Sequence, residues 1–330
     1  MAEIVLGMGS AHGPLLSTPP EKWDLRAQAD RENKAHWYRG RTYDFESLLR
    51  ERAPGFAGEI DIETRRERFA RCRAGLEILT RKFQQAHPEA LVIVGNDQRE
   101  YFGEDLTPSI TVYRGAEIYN ARETHEPAPG LNIAEPGNAP EQGITYPGEP
   151  TLADHILECL ADEGFDPAQS NSRPKGATRP GIPHAYGFIY HSILGDNPPP
   201  SVPIILNVHF PHNQPKIGRC LALGRALQRA ISSYQGCGRV ALVASGGLSH
   251  FVIDEELDRE ILRAMQNGDE PALARLPENV FKVGTAEIKN WFPVISAMNA
   301  EGRGYHQVDY VPCYRSEAGT GNAMGFVYWE

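Results

Sequence analysis

Histidines placed just beyond apolar runs are the residues of this chain best suited to chemistry. His12 follows Ile4-Val5-Leu6-Gly7-Met8 and sits within Gly9-Ser10-Ala11-His12-Gly13-Pro14. Its small neighbours leave room for a metal ion or a substrate; a loop imidazole bonded to backbone is the competing use. His250 closes Gly246-Gly247-Leu248-Ser249-His250 after the run Arg239–Ser245. Paired glycines let the backbone turn tightly and approach a ligand, whereas the plainer role is a cap for the next segment. His184 occupies a rigid Pro183-His184 step between Gly181 and Gly187, and Asp97 and Gln98 follow Leu91–Gly95. Imidazole titrates near neutral pH, which suits proton transfer, and imidazole and carboxylate together hold divalent metals. His209 and His212 flank Phe210-Pro211; the proline speaks against a helical pair, and structural or supporting roles come first. Glu255 and Glu256 stand with Asp254 at a helix start, where the dipole alone accounts for acids. Arg99 and Arg179 could pair with a carboxylate near the mouth of a site. His36, His87, His125, His155, His191 and His306 take ordinary structural readings.

These residues need a scaffold, and the pattern supplies one. Leu91–Gly95, Pro203–Val208 and Arg239–Ser245 are short, apolar and rich in Val and Ile, as buried strands are. Ser109–Tyr113 alternates and reads as a further strand. Residues 17–90 are rich in Arg, Glu, Lys and Gln, with Phe69, Cys72, Leu76, Leu79 and Phe83 at helical spacing, so several helices are expected there. Residues 125–150 read as a long loop dense in Pro and Gly, Thr151–Ala161 as a helix with Thr151 as N-cap, and 217–232 as another helix. The expected fold is α/β: a central mixed β-sheet flanked by helices, one domain over 1–330 with a helical insertion at about 17–90. Open α/β sheets bind ligands beyond the carboxyl ends of their strands, where His12, Asp97, Gln98 and His250 fall.

Composition narrows the function. The 330 residues carry a net charge of −10 with no basic cluster, which disfavours nucleic acid. No apolar run is long enough to span a bilayer, and Met1–Gly13 lacks the features of a signal peptide, so no membrane association and a cytoplasmic location are expected. Five scattered cysteines without a CxxC argue against a disulfide framework or a thiolate zinc site. Motifs for dinucleotides, nucleotide phosphates, the usual serine hydrolases and zincins are absent.

Taken together, several motifs resemble the class III extradiol ring-cleavage dioxygenases, a family that includes protocatechuate 4,5-dioxygenase, gallate dioxygenase and 3-O-methylgallate dioxygenase. The resemblance lies in Gly-x-x-x-His12 with its following proline and in the strand ending Asn96-Asp97. It continues through Val202–Val208 with Gly218–Gly224, Gly246–His250 with Ile253–Asp258, and Gly321-Asn322-Ala323-Met324-Gly325. It covers residues 1–16 and about 90–330. It implies Fe(II) held by two histidines and a glutamate, placed on His12, position 98 and Glu256, with His250 as acid/base and His184 on the substrate side. Position 98 departs from the family, holding Gln98 where it has histidine; Asp97 or His36 are alternative third ligands. The activity implied is O2-dependent cleavage of a catechol- or gallate-like aromatic acid, with that small aromatic molecule and O2 as partners and assembly as a homo-oligomer. A divalent-metal hydrolase or lyase on the same fold, or a binding protein that has lost turnover, are the other readings.

Overall fold

The computed structural model describes residues 1–125 and 130–330. The chain opens with β1 (Glu3–Ser10), then α1 (Trp23–Glu32), β2 (His36–Tyr38), β3 (Arg41–Tyr43), α2 (Phe45–Glu51) and the long α3 (Ile62–Ala86). Next come β4 (Ala90–Asn96), β5 (Ile110–Tyr113), β6 (Glu117–Asn120), β7 (Ile144–Pro147), α4 (Pro150–Asp162) and β8 (Ala168–Ser170). The second half runs α5 (His184–Phe188), β9 (Ser201–Leu206), α6 (Ile217–Ser233), β10 (Arg239–Ser245), β11 (His250–Val252) and α7 (Glu255–Gln266). It closes with α8 (Glu270–Ala274), α9 (Trp291–Glu301), β12 (Tyr305–Tyr314) and β13 (Thr320–Trp329).

Among the described residues, one domain is built on a nine-stranded mixed sheet in the order β11-β13-β1-β10-β4-β9-β5-β8, with β12 also on β13. The apolar runs form its parallel centre, β1-β10-β4-β9. β13 joins β1 antiparallel on one side, and β5 joins β9 antiparallel on the other. Both faces of the centre are covered, which is why these strands read as continuous apolar runs. Val92, Val94, Leu242 and Ala244 pack with Leu227 of α6 and Val294 of α9. Leu91, Ile93, Ala241 and Val243 pack on the opposite face with Leu76 and Leu79 of α3 and Tyr186 of α5. Burying such an aliphatic side chain fully is worth about 1.5–3 kcal/mol, so this alternation pins the register. The pairs Ser10↔Ser245 and Asn96↔Leu206 bring the carboxyl ends of all four parallel strands to one edge.

Three local readings are corrected. The stretch 17–90 holds a hairpin, β2–β3, besides helices. Arg39 and Gly40 both have positive φ (46° and 84°), as a tight two-residue hairpin turn requires, and the Trp37, Tyr38, Thr42 and Tyr43 around it favour strand. The stretch 125–150 is only partly loop, because Ile144–Pro147 pairs with β6; residues 126–129 of that reading lie outside the described residues. Helix α4 starts one residue earlier than expected, with Pro150 at its first position and Glu149 as N-cap, since proline there sacrifices no hydrogen bond. Among the described residues, no helix is long and apolar enough to cross a membrane.

Candidate metal centre and substrate pocket

The loops beyond β1, β4 and β10 converge on one buried carboxylate, that of Glu287, in the 3-10 segment Val283–Asn290. His12 Nε2 stands 3.1 Å from Glu287 Oε2. The protonation of His12 follows from its other nitrogen. The Ser245 hydroxyl donates its proton to the Ala185 carbonyl at 2.5 Å, so its oxygen can only accept from His12 Nδ1 at 2.9 Å. Burial outweighs the pull of Glu287 and lowers the His12 pKa below its usual value. Nε2 therefore presents a lone pair toward a carboxylate oxygen, and it is buried without a hydrogen-bond partner.

Glu287 is reached from every side. Gln98 Nε2 donates to Oε1 at 2.7 Å, and the Gly247 N–H donates to Oε2 at 3.3 Å. His209 Nε2 lies 3.4 Å from Oε1, and His250 Nε2 3.5 Å from Oε2. Burial pushes this carboxyl up, but the neighbouring imidazole of His250 and the donors from Gln98 and Gly247 outweigh it and hold it well below the usual carboxylate range. Asn290 steadies the floor by donating to Asn96 Oδ1 (2.7 Å) and the Ser245 carbonyl (2.9 Å).

His250 donates from Nδ1 to the Leu248 carbonyl at 2.8 Å, which turns Nε2 toward Glu287. Its ring lies between two glycines. A methyl group on Gly247 would stand 2.7 Å from Nδ1, and one on Gly284 2.7 Å from Nε2. Burial lowers its pKa, but Glu287 more than compensates and raises it. His184 lies edge-on to His12 with ring centroids 4.8 Å apart, and its Nδ1 donates to Glu100 Oε2 at 2.7 Å. Burial pulls its pKa down, but Glu100 raises it overall. These residues open onto a cavity of about 710 Å³, roomy enough for a small aromatic ligand.

His12, Gln98, His184 and His250 are thus brought together. Glu256 is not. It lies in the first turn of α7 with its side chain 78% exposed and bonded to Arg39 at 2.6 Å. The inward acid of that turn is Asp258, so Glu256 sits on the solvent face and cannot reach His12. Glu287, which the sequence reading missed, occupies the place expected for Glu256. One signal pointed to it: Glu287 is the only acid in the apolar stretch Val283–Met298. The alternative ligands are engaged elsewhere. His36 donates to the Asp30 carbonyl, and Asp97 accepts backbone N–H groups of residues 100–102. Arg179 is already paired with Glu135 (2.8 Å) and Glu100 (3.3 Å), and Arg99 bonds Gly103 and Thr107.

Among the described residues, no three His, Cys, Asp or Glu side chains form a metal-holding group. The donors on offer are one imidazole, one carboxylate and the Gln98 amide. They nonetheless fit a divalent cation. A bare imidazole nitrogen against a carboxylate oxygen is unfavourable unless a positive charge lies between them. Rotating the Gln98 amide by half a turn would put its oxygen where its nitrogen now stands.

Comparison with known proteins supplies the family. Residues 53–302 match the family model described as the catalytic LigB subunit of aromatic ring-opening dioxygenase. The chain belongs to that family. It is 27% identical over 194 residues to gallate dioxygenase from Pseudomonas putida, covering 54% of each protein. It is 28% identical over 165 residues to the 2,3-dihydroxyphenylpropionate/2,3-dihydroxicinnamic acid 1,2-dioxygenase of Comamonas testosteroni, covering 49% of this chain and 43% of that enzyme. The chain spans about half the length of the curated relatives it matches. A crystal structure of an uncharacterized protein from Escherichia coli K12 superimposes with a TM-score of 0.47 at 17% identity, over 77% of this chain and 91% of that one.

Proposed function

We propose that the chain is an Fe(II)-dependent extradiol dioxygenase that cleaves the ring of a catechol- or gallate-like aromatic acid with O2. The observation that carries this reading is the unpartnered His12 Nε2 facing Glu287 at 3.1 Å, at the floor of a cavity that also holds His184 and His250. His12 and Glu287 would hold the metal, with the Gln98 amide oxygen as third donor. When bound there, iron(II) supplies a site that chelates an aromatic diol and activates O2. His250, gripped by its glycines with Nε2 beside the centre, takes and returns the proton of a substrate hydroxyl. His184 contacts the substrate on the other side of His12.

The test uses Glu287→Ala and Glu256→Gln in parallel. After anaerobic iron loading, metal content and oxygen uptake are measured with a panel of catechols. The wild type should take up one metal per chain and consume O2 with at least one diol. Glu287→Ala should lose both, while Glu256→Gln should keep both. Full metal content in Glu287→Ala removes the proposed centre. Metal uptake without O2 consumption turns the reading toward a hydrolase or lyase.

A further inference from the structure

The turn that carries Gln98 into the metal centre carries a second side chain, Glu100, the other way. Asp97 fixes the turn, accepting the N–H groups of Glu100 (3.1 Å), Tyr101 (2.8 Å) and Phe102 (3.1 Å). Arg99 adopts the left-handed conformation (φ 65°), uncommon for a non-glycine residue, and this reversal separates the two directions. Gln98 therefore meets Glu287, and Glu100 meets His184.

We propose that Glu100 is a positioning residue that fixes the orientation and tautomer of His184 within the substrate pocket. The inference rests on the reading of that pocket as the substrate site. Glu100 Oε2 accepts from His184 Nδ1 at 2.7 Å, and the same carboxylate accepts the His184 backbone N–H at 3.2 and 3.3 Å. Ring and backbone of one residue are thus held by one group, which leaves little freedom in χ1 or χ2. A carboxylate only accepts, so the Nδ1 position keeps its proton. Nε2 is then the ring nitrogen left for the cavity, into which the fifth-exposed ring opens. Arg179 Nη1 donates to Glu100 Oε1 at 3.3 Å, and Arg179 is in turn held by Glu135 at 2.8 Å. The carboxylate is braced from behind and does not follow the ring. An amide at position 100 would fill the same space, but it can donate as well as accept and would leave the tautomer undetermined.

Glu100→Gln separates positioning from mere packing. The full chain is labelled with ¹⁵N-histidine and examined by NMR without paramagnetic metal, the His184 resonances being assigned by their loss in His184→Asn. The wild type should show His184 with a protected proton on Nδ1. Glu100→Gln should lose that signal and shift both ring nitrogens toward a tautomer mixture, while Glu100→Asp restores part of it. In the iron-loaded enzyme, Glu100→Gln should lower kcat by roughly 10–100-fold, as loss of a partner that orients an active-site histidine does, with KM within about twofold. An unchanged His184 spectrum in Glu100→Gln overturns the proposal, and so does an unchanged kcat. A wild-type spectrum with the proton on Nε2 alone overturns it without any variant. If no diol is turned over, the proposed activity fails, yet the ring spectra still decide the role of Glu100.

Discussion

His250 owes its place to what its neighbours lack. Gly247 and Gly284 face the two sides of the imidazole, and a methyl group on either would come within 2.7 Å of a ring nitrogen. Under the proposed function, Gly284→Ala should therefore displace the ring and reduce turnover by about 10²-fold or more, the scale of a lost general acid/base, with metal uptake unchanged. Steady-state kinetics with metal analysis checks this; unaltered kcat would mean that the ring does not need that slot. At this scale the sequence was readable wherever a polar residue closes an apolar run. His12, Gln98 and His250 follow β1, β4 and β10, and the Pro183-His184 step stands out among glycines. Glu287 was hidden because its 3-10 segment has no periodic pattern and no apolar run before it. Glu256 drew the assignment because it sits six residues beyond His250, which does enter the site.

The turn Asn96–Phe102 is the element on which the centre depends most. One carboxylate, Asp97, closes it through three backbone N–H groups, and burial together with the nearby charge of Glu100 pushes its pKa up to about 6. Asp97→Ala leaves those donors without an acceptor, at roughly 1–3 kcal/mol for each that water cannot reach. We expect a net loss of about 2 kcal/mol, read as a lower urea midpoint, with Asp97→Asn recovering part because its amide oxygen still accepts. An unchanged midpoint would show that the turn holds without its brace. Other elements differed in how plainly they announced themselves. The strands β4, β9 and β10 are continuous apolar runs, and α3 repeats apolar residues at helical spacing. The β2–β3 hairpin escaped notice because it has only three residues a side within a highly charged stretch. β7 escaped because Pro and Gly surround it.

For the molecule as a whole, two buried acids set opposite limits on stability with pH. Asp258, fully buried on the inward face of α7, is pushed by burial up to about 7, even though Ser249 and Tyr310 donate to it. Unfolded, it titrates near 3.9. Between those values the native state binds the extra proton, so its contribution weakens stability as pH rises from about 4 to about 7, by an amount on the order of a few kcal/mol. Glu100 works the other way. Burial pushes it up, but the charges of His184 and Arg179 outweigh this and bring it down to about 2. Its contribution is present above the unfolded value near 4.3 and is lost as pH falls toward 2. Asp258→Asn should flatten the decline between pH 5 and pH 7.5 seen in urea midpoints; equal declines in both proteins would assign the effect elsewhere.

The placing of β13 also bears on when the centre can exist during synthesis. β1 is synthesised well before its sheet neighbours β10 and β13, residues 239–245 and 320–329. β13 also pairs with β11, which carries His250. Until residue 329 is released, β1 can pair with β10 on one side only, and its other edge stays open, of the kind that chaperones hold and that aggregates if left exposed. So many distant pairings make for slow folding. If the proposed metal centre needs the completed sheet, nascent chains arrested before β13 should bind less metal than the full chain.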